Sequence, residues 1–136
     1  QHCPDEIVRL VSPILEGEAD YVMGSRFLGH YSDRSGARHA GILFFSFLLS
    51  LITGIKVTDC TNGFRAIRVV SLGRLKLNEA QFSAPELILE AVNKGLRIEE
   101  VPVSVMSRQK GVSKKPGGIG YPLRFGLAIL RAWLRT

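Results

Sequence analysis

An α/β fold is what this 136-residue sequence predicts, and three observations predict it. Apolar residues recur at helical spacing in four stretches. Three shorter apolar or alternating stretches between them have strand character. The two kinds alternate along the chain, helix first, in the pattern of an α/β domain. With 46% hydrophobic and 22% charged residues, the chain has the composition of a globular protein and the length of one domain.

The first helix opens at Pro4, Asp5 and Glu6, where proline needs no amide partner and acids sit near the positive end of the helix dipole. Ile7, Val8, Leu10, Val11, Ile14 and Leu15 follow at helical spacing, Pro13 can kink the helix, and Gly17 ends it. "ADYVMGSR" (19–26) predicts a buried strand, and residues 27–37 a polar loop. A second helix is expected from about Arg38 to Thr53, stopped by Gly54. "GFRAIRVV" (63–70) predicts the next strand, and "APELILEAVNKG" (84–95) a helix opened by Pro85 and Glu86 and closed by Gly95. "LRIEEVPVSVMSR" (96–108) alternates as a strand, which Pro102 confines to an edge or an irregular course. A basic, glycine-rich loop (108–120) leads to a last helix with Leu123, Leu127, Leu130 and Leu134 on one line and Arg124, Arg131 and Arg135 away from it.

The charge balance is basic: eighteen Lys and Arg against twelve Asp and Glu, net +6. That favours an anionic partner such as a phosphate-bearing molecule, an acidic membrane face or nucleic acid. Nucleic acid is disfavoured, because the basic residues are dispersed and no aromatic residues interleave with them on a strand face. Two cysteines, Cys3 and Cys60, form neither a disulfide framework nor a zinc spacing. "AGILFFSFLLSLITG" (40–54) falls short of the roughly 20 residues that span a bilayer, so a buried or interfacial helix is expected. His39, Ser46, Ser50 and Thr53 form a narrow polar stripe on it. Such hydroxyls bond back to the preceding turn in a core helix, the favoured reading, or mark a helix lying at a lipid surface.

Four arginines stand at predicted element ends or in loops: Arg26 after "GS", Arg38 at a helix start, Arg65 in "NGFR", and Arg108 in the basic loop. Strand ends are where α/β sheets place ligands, and a guanidinium fork suits phosphate oxygens. Any one of them alone is better read as a solvated surface charge, and the four together are what suggest phosphate contact. Asp59, in the turn-rich "TDCTNGFR" (58–65), either works chemically on a ligand or satisfies the backbone of its own turn with Thr61 and Asn62. Gln1 and His2 are of metal-ligating type but sit at a chain end. No Ser/His/Asp set, Walker loop, GxGxxG, CxxC pair or HExxH occurs.

Taken together, "QHCPDEIVRLVSPILEGEADYVMGSRFLG", "TGIKVTDCTNGFRAIR" and "PELILEAVNKGLRIEEVPVSVMSRQKGVSK" resemble the family-2 glycosyltransferases, in the branch of the dolichol-phosphate and polyprenyl-phosphate sugar synthases. The resemblance implies a GT-A type nucleotide-sugar-binding fold that here lacks its N-terminal nucleotide-binding half. Residues 1–120 would be the C-terminal portion of that domain, beginning just after an Asp-x-Asp motif, and residues 121–136 an amphipathic C-terminal helix. It implies transfer of a sugar from a GDP- or UDP-linked donor to polyprenyl or dolichyl phosphate, with Mg2+ or Mn2+, by an inverting displacement. The main aspartate ligands would lie upstream of residue 1, so this stretch alone is expected to be inactive. Cytoplasmic placement, peripheral to or anchored at a membrane, follows from the same resemblance.

Carried onto this sequence, the resemblance makes Gln1 a residue of the metal shell. Arg26 and Arg38 would hold acceptor or donor phosphates. Asp59 becomes a catalytic or nucleophile-orienting carboxylate, with Arg65 in the same acceptor-side motif. Arg108, Ser113 and Lys114 match a loop that closes over the diphosphate, and Glu86 has a structural role. Three positions depart from the pattern: Asn62 replaces a serine, Cys3 stands where proline or aspartate is frequent, and Ile42 occupies a place that lipid-phosphate synthases often give to Ser or Asn. A non-catalytic scaffold of the same shape and, more remotely, a basic nucleic-acid-binding module are the alternatives.

Overall fold

The computed structural model describes residues 2–31, 36–79, 81–106 and 120–136. A 3-10 turn at Pro4–Glu6 runs straight into α1 (Ile7–Leu15). Then come β1 (Tyr21–Tyr31), α2 (Gly36–Thr53), β2 (Arg65–Ile67), α3 (Val69–Leu72), α4 (Ser83–Asn93), β3 (Ile98–Val105) and α5 (Gly120–Arg135). The expected mixed α/β architecture is present. The one element the sequence did not announce is the single turn α3.

The sheet has the order β2-β1-β3. β1 pairs antiparallel with β2, from Tyr21 opposite Ile67 to Met23 opposite Arg65. On its other side it runs parallel to β3, from Tyr21 opposite Ile98 to Ser25 opposite Pro102, and resumes at His30 opposite Ser104 after a shift of register. That resumption extends β1 to Tyr31, into the stretch expected to be loop. Leu28, Gly29 and His30 are exposed, so their composition resembles a loop, while pairing resumes at His30 and Tyr31. β2 is conversely shorter than expected. Its partner strand begins at Tyr21, the Arg68 amide turns to the Asp20 carbonyl at 2.8 Å, and the chain coils into α3 with Val69 and Val70 exposed.

The larger core lies on the face of the sheet carrying Tyr21, Met23 and Ile98, under Leu49 of α2, Ile88 and Leu89 of α4, and Phe125 and Ile129 of α5. Each fully buried side chain of this size contributes about 1.5–3 kcal/mol. A smaller cluster on the opposite face packs Leu10 and Ala19 against Val22, with Phe64, Ala66 and Val101 beside them. Glu6 pins this side by accepting bonds from the Ser104 amide at 2.8 Å and its hydroxyl at 3.0 Å. At the start of the sheet Asp20 gathers Arg97, through its amide at 3.0 Å and Nη2 at 3.1 Å, and Arg68 through Nε at 3.3 Å.

The two long helices show their faces in unexpected directions. α2 ends at Gly54, whose φ of 74° is the left-handed turn that glycine adopts without strain, as the sequence predicts. Its hydroxyls do bond back, Ser50 to the Ser46 carbonyl at 2.8 Å and Thr53 to the Leu49 carbonyl at 2.6 Å. They line the inner side, however, while Leu43, Phe44, Phe47 and Leu51 are 49–66% exposed, so the helix is only half a core helix. In α5 the leucine line is present but points outward, and Phe125, Ala128, Ile129 and Ala132 are buried instead. The two alanines let the helix lie close on its neighbours, which leaves the bulkier leucines on the far side. Phe82, at φ 60°, is held in a left-handed conformation by its ring contacts with Tyr121 at 5.1 Å and Phe125 at 5.7 Å.

Candidate functional site

Along its inner face the sheet changes character. Tyr21 and Met23 of β1 and Ile98 of β3 belong to the core, but the next positions on the same face are Ser25 and Glu100. This polar end is the C-terminal end of two parallel strands, the place where α/β sheets bind ligands. The loop 57–65 crosses here and is tied down residue by residue.

Gly24 makes the crossing possible. A Cβ there would stand 2.8 Å from a Val103 methyl and 2.9 Å from the Phe64 carbonyl oxygen, so only glycine fits between β3 and the loop. The Gly24 amide donates to that carbonyl at 2.9 Å, and Asn62 donates from Nδ2 to the Gly24 carbonyl at 2.9 Å. Asn62 also accepts the Phe64 amide at 3.1 Å, which closes the turn. "GSR" and "TDCTNGFR" are therefore two halves of one structure.

Arg26 and Asp59 form its centre. Asp59 Oδ2 accepts the Arg26 amide at 3.0 Å and Nε at 2.7 Å, and Oδ1 accepts Nη2 at 2.8 Å. Thr61 Oγ1 accepts a further bond from Nη2 and donates to Asp59 Oδ1 at 3.4 Å. The Asp59 side chain is fully buried and that of Arg26 is 10% exposed. Burial works against the Arg26 charge, but the bonds and charge of Asp59 outweigh it and raise the guanidinium above its usual value. A carboxylate with both oxygens occupied and no exposed surface acts as an orienting group. Asp59 fixes the plane of the Arg26 fork and leaves Nη1 outside this set of bonds.

Aromatic rings carry the site outward. The Arg26 guanidinium lies 4.7 Å from the centre of the Tyr31 ring, and that ring stacks on His39 at 4.5 Å. Arg38, next to His39, is exposed at the head of α2. Its charge opposes the upward push of burial on the Tyr121 hydroxyl, which places it near the start of α5. His2 stands at the same end, its ring 4.6 Å from that of Phe64 and its backbone bridged to Val105.

Arg65 is directed inward. It donates to the carbonyls of Asn62 at 2.6 Å, Cys60 at 2.8 Å and Ala84 at 2.9 Å, and to the Tyr21 hydroxyl. These bonds tie the loop to α4 and engage all three guanidinium nitrogens. Cys60 is buried, and burial pushes its thiol up to about 11, so it is protonated and unreactive at neutral pH. Glu86 is buried at the start of α4, accepting the Asn78 amide at 2.7 Å, the Glu79 amide at 2.9 Å and Arg135 Nη2 at 2.9 Å. Ile42 is buried. Gln1, Arg108, Ser113 and Lys114 lie outside the described residues.

Sequence reasoning placed Ser46 and Ser50 on the polar stripe of α2 but missed that they, with Glu100, hold the loop from below. Ser46, buried on α2, accepts the Cys60 amide at 3.0 Å, and Ser50 accepts the Val57 amide at 2.9 Å. Glu100 accepts the amides of Thr58 at 2.8 Å and Asp59 at 3.2 Å and the Thr58 hydroxyl at 2.9 Å. The available signal was phase: Glu100 shares its strand face with Ile98, where an apolar residue would ordinarily point inward. Among the described residues no three His, Cys, Asp or Glu side chains converge as a cation site.

No family model matches the chain, and no solved structure matches it. Curated relatives do. The chain is 28% identical over 138 residues to a UDP-N-acetylglucosamine–dolichyl-phosphate N-acetylglucosaminyltransferase of Methanococcus voltae, covering 96% of this chain and 55% of that protein. It is 30% identical over 126 residues to the polyprenol monophosphomannose synthase of Mycolicibacterium smegmatis, covering 85% and 46%. It is also 30% identical over 128 residues to the undecaprenyl-phosphate mannosyltransferase of Micrococcus luteus, covering 87% and 50%. The chain thus spans about half the length of the curated relatives it matches. Its resemblance to the polyprenyl-phosphate sugar synthases extends over nearly the whole of its own length.

Proposed function

We propose that this chain supplies the acceptor side of a glycosyltransferase that moves a sugar from a GDP- or UDP-linked donor to polyprenyl or dolichyl phosphate. The observation that carries the reading is the Arg26 fork, locked by buried Asp59 beside Tyr31 and the head of α2. A lipid phosphate is already an anionic nucleophile and needs positioning more than deprotonation. Arg26, with Arg38 close by along the Tyr31–His39 stack, is suited to hold it.

In the step itself a phosphate oxygen forms a bond to the anomeric carbon. The bond from that carbon to the donor diphosphate breaks, and the nucleoside diphosphate leaves with the electron pair. No proton moves, and the sugar carbon inverts. Arg108 and Lys114 would neutralise the departing diphosphate, and Ser113 would donate a hydrogen bond to it. Gln1 would join the shell of a Mg2+ or Mn2+ ion, whose contribution is the same charge neutralisation.

The outward apolar side chains of α2 and α5 fit an acidic membrane surface on the cytoplasmic side, where the lipid phosphate resides. Phe44 and Phe47 on one helix and Leu123, Leu127, Leu130 and Leu134 on the other are all exposed, and Arg124 and Arg131 are exposed on the same helix as the leucines. α2, at 18 residues, is long and apolar enough to cross a membrane by length and composition, but its inner side is engaged with the loop.

The test uses the full-length natural protein with vesicles containing polyprenyl phosphate and labelled UDP- and GDP-sugars. Label is expected in the lipid product, with Arg26→Ala lowering the rate about 100-fold. No transfer by the unsubstituted protein to any such lipid overturns the reading in favour of a scaffold.

A further inference from the structure

The lock between Arg26 and Asp59 depends on where the Asp59 backbone sits, and that backbone has no strand partner. Residues 58 and 59 lie between α2 and β2, outside any regular element. Their amides are nevertheless both satisfied, and by one side chain. Glu100 Oε1 accepts the Thr58 amide at 2.8 Å and the Asp59 amide at 3.2 Å, while Oε2 accepts the Thr58 hydroxyl at 2.9 Å. The same hydroxyl lies 2.6 Å from Ser25 Oγ, the residue just before Arg26. Two paths therefore run from Glu100 to the guanidinium, one through the Asp59 backbone and one through Thr58 and Ser25.

Glu100 is well suited to this work. β3 is hydrogen-bonded to β1, with Glu100 opposite Met23, so its Cα is held by the most extensively paired part of the sheet. A carboxylate offers two acceptor oxygens in one plane, matching a pair of successive amides and a hydroxyl. Bonds to a charged acceptor are roughly twice as strong as neutral ones. An error of about 1 Å in placing a substrate-holding group costs on the order of 100-fold in rate.

We infer that Glu100 is a positioning residue for phosphate capture: it fixes the Thr58–Asp59 backbone on β3 and thereby sets the Arg26 fork. The inference rests on the reading of Arg26 as the acceptor-phosphate group and adds the element that places it.

The experiment measures steady-state transfer by the full-length protein, varying lipid phosphate and nucleotide sugar separately, alongside thermal unfolding. Glu100→Ala is expected to lower kcat/KM for the lipid phosphate by about 10- to 100-fold while KM for the nucleotide sugar stays unchanged. Glu100→Gln should recover to within about threefold, because its Oε1 can accept both amides and its Nε2 can donate to Thr58 Oγ1. Thr58→Val keeps the amide bonds, removes the link to Ser25, and serves should Glu100→Ala fail to fold; about a tenfold loss in the same parameter is expected. Equal losses for both substrates, or a Gln variant as impaired as the Ala variant, overturn the inference. If Arg26→Ala weakens lipid-phosphate use while Glu100→Ala and Thr58→Val do not, the role of Glu100 falls and the site reading stands. If Arg26→Ala itself leaves lipid-phosphate use untouched, the site reading falls.

Discussion

α2 turns two unlike sides to its surroundings. Inward it presents Ile42, Ser46 and Leu49 with half-buried Ser50 and Thr53, and outward it presents Leu43, Phe44, Phe47 and Leu51. Ranking by hydrophobicity alone would put Phe44 and Phe47 inside and the serines outside. The structure has the reverse because the loop 57–60 passes the inner side with amides that no strand partners. Ser46 and Ser50 meet two of those amides. Apolar side chains in their place would strand buried N–H groups, at about 1–3 kcal/mol each. α5 shows the same sorting by another route, since Ala128 and Ala132 pack closely and the leucines stay out. The difference teaches that the inner side of α2 holds the loop that carries Asp59, while the outer sides of both helices leave large apolar side chains exposed.

The contrast can be broken most severely at its buried end. Asp59→Ala leaves the Arg26 guanidinium without its partner in a nearly closed environment, and a loss of about 3–5 kcal/mol is expected by chemical denaturation. A smaller but more pointed comparison sits on α2 itself. Ser46→Ala should cost about 1–3 kcal/mol through the Cys60 amide, whereas its neighbour Phe47→Ala should stay within about 0.5 kcal/mol despite losing far more apolar surface. If Phe47→Ala is the more destabilising of the two, the assignment of inner and outer sides is wrong.

The mildest effect concerns the other end of the sheet. Hydrogen bonds from the Arg97 side chain and amide hold the Asp20 carboxyl well below its usual range, outweighing the upward push of burial. A carboxylate depressed in the folded state stabilises above its unfolded value of about 3.9 and loses that contribution as pH falls through the folded value. The protein should therefore lose stability as pH drops below about 4, and Asp20→Asn should lack that increment while remaining unchanged in its response at higher pH. Equal acid sensitivity of both forms in thermal unfolding would remove Asp20 from the account.

The arginines show how much of the site was legible. Arg26 and Asp59 were both candidates in "GSR" and "TDCTNGFR", although the local pattern left each open between a ligand-binding role and a surface charge or turn-satisfying carboxylate. Their direct pairing was not, since 33 positions separate them and only the crossing of the loop over β1 joins them. Arg65 carried the same local signature as Arg26 but spends its donors on Cys60, Asn62, Ala84 and Tyr21. No local pattern distinguishes an arginine that stays inside a loop from one that faces its mouth.

By itself the sequence determined the four longer helices and several of their limits: Pro4 and Pro85 near starts, Gly54 at a stop, and apolar residues at a helical period between. It determined the likeness to polyprenyl-phosphate sugar synthases as well, through motifs that lie in order along the chain. Tertiary structure alone decided which side of α2 and α5 is inner, that β1 continues to Tyr31 and β2 stops at Ile67, and that Glu100 reaches Thr58 and Asp59. The physical reason is that periodicity records which residues share a side, a property of neighbours in the chain. Where that side points depends on hydrogen bonds and close contacts owed to segments far away in sequence.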